Sequence, residues 1–150
     1  MIAQTNWIER KFSFDFPSGF FPMIVERLLG TPTRLEEMTH GVPPGILTRK
    51  VNEAWSMQEH AGHLIDLEEL HHGRIDDFLG HASTLRSWDT ANRKTYEANH
   101  NARPMTEILK EFRNGRREFV DRIIESDEEL LSRSGMHPRL KVPMRLVDMA

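Results

Sequence analysis

The sequence has no cysteine, which removes disulfide scaffolds, cysteine-ligated zinc and cysteine nucleophiles from consideration. No apolar run approaches the roughly 18 residues of a membrane-spanning helix. There is no surplus of positive charge either. The formal net charge of −3 argues against broad binding to nucleic acid or to anionic membranes. The start, Met1-Ile2-Ala3-Gln4-Thr5-Asn6-Trp7, lacks the basic and then apolar regions of a secretory signal. With the missing cysteines, this makes the cytoplasm the expected compartment. The glycines form no phosphate loop, and no serine has the glycine-flanked elbow of a nucleophile.

What is present is 150 residues, 38% hydrophobic and 29% charged, which suits one domain with a real core. Eight histidines stand against a single tyrosine, so the question is which of them serve as ligands.

Trp7, Phe12, Phe14 and Phe16 read as an extended arm that lays its rings on the domain before Pro17. Phe20, Phe21, Ile24, Val25, Leu28 and Leu29 recur at helical spacing. Gly30 reads as the stop, with Thr31 and Pro32 as cap and first residue of a second piece running to about Met38. The clearest start signal is Trp55-Ser56-Met57-Gln58-Glu59. Ser56 and Glu59 have capping-box spacing, and Trp55 is placed to staple over His60. That helix should run to Leu79 and stop at Gly80. Its apolar arc holds Met57, Ala61, Leu64, Leu67, Ile75, Phe78 and Leu79, with His60 and His71 inside it and His63 at its margin.

Residues 81–103 keep no sustained period, apart from a possible short helical stretch near Asn92–Ala98, and so read either as a long functional connection or as an element that the period does not reveal. Met105, Ile108, Leu109, Phe112, Phe119, Val120, Ile123 and Ile124 define a third helix. On it Arg113, Arg116, Arg117 and Arg122 alternate with acids as a salt-bridged face. Ser126 and Glu129 suggest another capping box, closed by Gly135. Pro143 then opens what reads as a fourth helix with Met144, Leu146, Val147 and Met149. These segments describe an all-α, four-helix bundle whose fourth helix is truncated, and residues 1–150 are expected to form that one incomplete domain. Each large side chain left uncovered on the groove would forgo roughly 1.5–3 kcal/mol of burial. A partner chain, a swapped segment or a further helix is expected to cover it.

Most histidines have a bland reading. His60 packs under Trp55, His71 is a core or interface residue, and His72 is solvated. His40 and His81 sit at helix ends, and His137-Pro138 is a turn. His100, between Asn99 and Asn101, either lines a pocket or serves turn geometry. By periodicity alone, His63 is a surface-margin residue rather than a ligand.

The segment Trp55-Ser56-Met57-Gln58-Glu59-His60-Ala61-Gly62-His63-Leu64-Ile65-Asp66 resembles the DinB superfamily, including its YfiT-like proteins. Its members show Trp-Ser/Thr, a histidine eight residues after the tryptophan, and often a following Asp. Residues 21–32, Asn92-Arg93-Lys94-Thr95, Ala98-Asn99-His100-Asn101 and His137-Pro138-Arg139-Leu140 resemble one branch of it. The resemblance implies a four-helix bundle, often a homodimer, holding a divalent metal on three histidines. His63 corresponds to the first ligand. The other two come from a His-x-x-x-His pair on the last helix, to which no residue here can be assigned. His60 is the nearest substitute. Zinc or nickel is the expected metal, then iron.

The resemblance further implies a metal-dependent enzyme acting on a small molecule, either a transferase of low-molecular-weight thiols or a hydrolase. The alternative is a non-catalytic bundle acting through dimerisation or through partner or small-molecule binding. Melting that ignores a chelator would separate the second from the first.

Overall fold

Helical periodicity is realised in three long helices, and the surprises lie where proline and glycine interrupt it. In the computed structural model, Thr5, residues 9–15 and residues 17–150 are described. The chain forms α1 (Phe21–Thr39), α2 (Pro44–Leu47), α3 (Met57–Leu79), α4 (Arg93–Glu97), α5 (Met105–Ile124), α6 (Glu128–Ser132) and α7 (Leu146–Met149). A small antiparallel hairpin pairs β1 (Ser134–Met136) with β2 (Pro143–Arg145). Helix α5 packs against both α3 and α1. Of the expected aromatic arm, Trp7 and Phe16 lie outside the described residues, while Phe14 packs on the core.

The break expected at Gly30 does not occur, and α1 runs straight through a buried Pro32. Pro32 cannot donate to the carbonyl four residues back. Side chains brace the neighbouring carbonyl. The Thr31 hydroxyl donates to the Arg27 carbonyl at 2.9 Å, and Arg34 Nη2 donates to the same oxygen at 2.6 Å.

The start of α3 is as expected, with both halves of the Ser56–Glu59 capping box formed and Gly80 at its C-terminal cap. Its faces are less simply divided than a helical wheel suggests. Ala61, Ile75 and Phe78 are buried, but Met57 and Leu79 are exposed, as is His60, which the wheel had placed in the apolar arc. Buried polar residues take the vacated positions. Glu68 reaches across to α5, where Arg116 Nε and Nη2 donate to its Oε1 at 2.9 and 2.6 Å. The cations of α5 therefore do not form the salt-bridged helix face that their alternation suggests. Arg113 pairs with Glu36 on α1, Arg116 with Glu68, and Arg122 with Asp76, so they tie α5 to its neighbours.

The C-terminal third departs most from expectation. Asp127, not Ser126, caps α6 by accepting the Leu130 N–H at 2.8 Å, while the Ser126 hydroxyl donates back to α5 at Arg122. Gly135 does not end a helix. It lies in β1, where a Cβ would come within 2.7 Å of Leu85 Cδ2, so only glycine allows that approach. Pro143 begins β2 rather than a helix, a strand-start position where a proline is tolerated. The last helix begins at Leu146, with Asp148 accepting both the backbone N–H and the guanidinium of Arg145. The fold is thus helical apart from this hairpin.

The core joins Ile75 and Phe78 of α3 to Phe119, Val120 and Ile123 of α5, and the hairpin and α7 add Met144 and Leu146. These elements cover part of the groove expected on the long helices. Helix α1 still exposes Met23 (57%) and Met38 (71%). No helix among the described residues is long and apolar enough to cross a membrane.

Candidate functional site

The capping box fixes where α3 starts, and so fixes the direction in which each residue of its second turn points. His63 and Asp66, at i and i+3, share one side of α3 and line a cavity of about 300 Å³. The opposite wall comes from residues 86–95. Asp89 shapes that wall by accepting the backbone N–H groups of Ala91 and Arg93, which starts α4. Asn92 adopts a left-handed conformation at the N-cap of α4. Thr95 is then buried and aimed at α3, where its Oγ1 and His63 Nδ1 share a hydrogen bond of 2.9 Å.

Three rings gather around Trp55: His63 at 4.8 Å, His60 at 5.4 Å and Tyr96 at 5.6 Å between centroids. The expected Trp55–His60 staple is present, and the same indole also fixes the ring of His63. Burial pushes the His63 imidazole below its ordinary value. Asp66 opposes that shift, and His60 and His100 add to it. At neutral pH the ring is therefore neutral, as a metal ligand must be.

His100 is the residue whose two sequence readings the structure separates. It is 2% exposed and does not line the cavity. Its Nε2–H donates to Asp66 Oδ2 at 2.9 Å, so it stands behind the carboxylate that does line it. The segment carrying it is tied to the start of α3 by further bonds. Gln58 Nε2 donates to the carbonyls of His100 and Arg103, each at 2.7 Å, and the Ser56 hydroxyl donates to Asn101 at 2.7 Å. Asn99 is left-handed, as its residue type suggested. The ring lies directly over Gly62, where a Cβ would sit 2.2 Å from His100 Cγ.

The remaining histidines are elsewhere. His71 Nδ1 lies 3.8 Å from buried Glu68 and its ring packs on Phe119, as an interface residue should. His72 is half-buried rather than solvated and meets Arg122 and Phe119. His40 caps the C-terminal end of α1, and His81 follows Gly80 with φ of 54°. His137 is turn chemistry, its Nδ1 accepting the N–H groups of Arg139 and Leu140.

His63 has the features of a divalent-metal ligand. One ring nitrogen is held by an oxygen, and the other, Nε2, has no hydrogen-bond partner among the described residues. The ring is neutral and opens on a cavity. Among the described residues, however, no three His, Cys, Asp or Glu side chains gather closely enough to hold a metal ion. Within the cavity lining, His63 is the histidine, with one ring nitrogen oriented by Thr95. Periodicity did not identify Thr95 or the His100–Asp66 pair. Their signals were the turn residues Asp89, Asn92 and Asn99, which announce positioned backbone without saying what it meets.

The fold is a helical bundle in which α3 brings a histidine to the wall of a small cavity. Residues 27–149 match the DinB superfamily, and the chain belongs to that family. Among solved structures, the fold is similar to YfiT from Bacillus subtilis, described as a probable metal-dependent hydrolase with an unusual four-helix bundle topology. The TM-score is 0.77 at 15% identity, over 93% of this chain and 81% of that one. No curated protein matches the chain in sequence.

Proposed function

We propose that this protein is a divalent-metal-dependent DinB-type enzyme, a hydrolase or a low-molecular-weight thiol transferase, with His63 as the ligand α3 contributes. The observation that carries the reading is the Thr95–His63 bond, which ties up one ring nitrogen while the other stays available beside a cavity. Thr95 and Trp55 orient the imidazole before any ligand arrives. Asp66, backed by buried His100, presents a carboxylate of fixed orientation to the same cavity and serves to hold a substrate proton or donor group. When bound, zinc, nickel or iron supplies a Lewis acid that lowers the pKa of a coordinated water or thiol toward neutrality. The family's other two histidine ligands have no counterpart among the described residues. The further donors would come from outside these residues, and a second copy in a homodimer is one source of them. The substrate is a small molecule, in keeping with a cavity of about 300 Å³.

The test is titration of zinc and of nickel into the wild-type chain and His63→Ala, with helicity checked in both. The reading predicts at least about tenfold weaker binding in the variant. Equal affinity and stoichiometry in the two proteins, or no binding in either at millimolar metal, contradicts it.

A second reading, a non-catalytic bundle acting through dimerisation, draws on the exposed apolar residues of α1, Met23 and Met38. It expects a dimer whose mass and melting temperature are unchanged by zinc or by a chelator. A rise in melting temperature on adding zinc that is reversed by the chelator would count against it.

A further inference from the structure

A second and larger cavity, of about 800 Å³, shares no lining residue with the His63 cavity. It lies at the end of the bundle where the C-terminal end of α1, the α2 segment and the first turns of α5 meet. Its size is that of a small-molecule pocket.

Two properties of its walls limit what would occupy it. The first is apolar surface from separate elements: Val42 and Leu47 on one side, Met105 and Leu109 on the other. The second is an imbalance of charge. Besides His40, the lining holds three permanent cations, Arg103, Lys110 and Arg113, against one acid, Glu36. Two of the three cations are already answered. Arg113 clasps Glu36 through Nε at 3.2 Å and Nη2 at 2.5 Å, and Arg103 pairs with Glu111. Lys110 has no ion-pair partner among the described residues. One positive charge is thus left over beside an apolar hollow.

We propose that this cavity binds a free amphipathic monoanion, an apolar chain or ring system bearing one carboxylate, with Lys110 on the acid group and Val42, Leu47, Met105 and Leu109 around the apolar body. A polyanion fits poorly, because only one cation is uncompensated. A neutral apolar ligand leaves that cation unanswered, and a cationic one is repelled by it.

Decanoate below its micellar concentration is a suitable probe, with decanol and decyltrimethylammonium as uncharged and cationic controls. Binding is followed by calorimetry and by amide resonances of the full chain. Decanoate should bind saturably at one site and shift the resonances of Val42, Leu109 and Lys110 ahead of those around His63. Lys110→Glu changes an exposed side chain, so the fold is retained. It should weaken decanoate by about tenfold or more and change decanol by less than about threefold. Leu109→Asn should weaken both. The proposal is overturned if decanoate does not saturate, if decanol or decyltrimethylammonium binds as tightly, if Lys110→Glu leaves decanoate affinity unchanged, or if the shifted resonances cluster at His63. Binding of decanoate by His63→Ala as tightly as by wild type would support the cavity whatever becomes of the metal.

Discussion

Gly62→Ala tests the architecture behind the pocket, because propensity and packing predict opposite signs for it. Gly62 lies inside α3, where alanine is ordinarily better than glycine by about 1 kcal/mol. Its Cα, however, lies under the ring of His100, and an added Cβ would stand 2.2 Å from Cγ and 2.4 Å from Nδ1. The ring has no room to retreat, being 2% exposed and held by Asp66. Overpacking costs about 1–3 kcal/mol, and loss of a hydrogen bond to a charged partner about 1.5–3 kcal/mol. Against the gain from helix propensity, the net loss comes to about 1.5–5 kcal/mol. For a chain of this size that is a drop in melting temperature of about 3–20 °C. Urea unfolding followed by circular dichroism measures it. Combining the change with His100→Ala should recover part of the loss, since the clash disappears with the ring. A Gly62→Ala protein as stable as wild type would refute the placement of His100 over α3.

Other consequences can be checked in the same way. Arg116→Met should destabilise by about 3–5 kcal/mol in urea unfolding at neutral pH, because it strands the buried Glu68 carboxylate. Adding Glu68→Gln should restore much of that, and a loss under about 1 kcal/mol would contradict a buried pair. Burial, then Arg74 and Arg139, hold the His137 imidazole below its ordinary value of 6.5, so protonation favours the unfolded chain. Its contribution is present above pH 6.5 and lost as the pH falls below it, and His137→Gln should flatten that part of the stability curve. A second acid-side loss is expected below 4.5. Burial raises the Glu68 carboxyl, but His71 and Arg116 together hold it below that value, and Glu68→Gln should remove this limb. Thr95→Val should shift His63 toward a mixture of ring tautomers by nitrogen NMR and weaken zinc by about 10–100-fold, with Thr95→Ser close to wild type. An unchanged tautomer in Thr95→Val would show that the hydroxyl does not set it.

Where local chemistry decides the structure, the sequence was legible. Ser56 and Glu59 announce the start of α3, Gly80 its end, and the periods of α3 and α5 follow from side-chain spacing alone. Local signals misled where a distant contact overrides them. Gly30 and Pro32 look like a break, yet α1 continues through both, with Pro32 buried and the Arg27 carbonyl beside it held by Thr31 and Arg34. Gly135 looks like a helix stop, but it is a glycine because Leu85 comes too close for anything larger. The candidate site divides along the same line. Spacing put His63 at the edge of the apolar arc and resemblance gave it a role. Its partner Thr95 is 32 residues away, and Asp66's partner His100 is 34 away, separations that no period in either segment encodes. Asp127 displaced Ser126 as a cap for a simpler reason: the Ser126 hydroxyl is already spent on the last turn of α5.

The central claim is that His63 is held by Thr95 with Nε2 free to take a divalent metal. Long-range proton–nitrogen correlation spectra of the His63 ring, without and with zinc, test it most directly. The account predicts that the metal-free chain carries its ring proton on Nδ1 and that zinc moves the Nε2 resonance selectively among the eight histidines. A proton on Nε2 in the free chain, with zinc leaving the His63 resonances where they were, would contradict it.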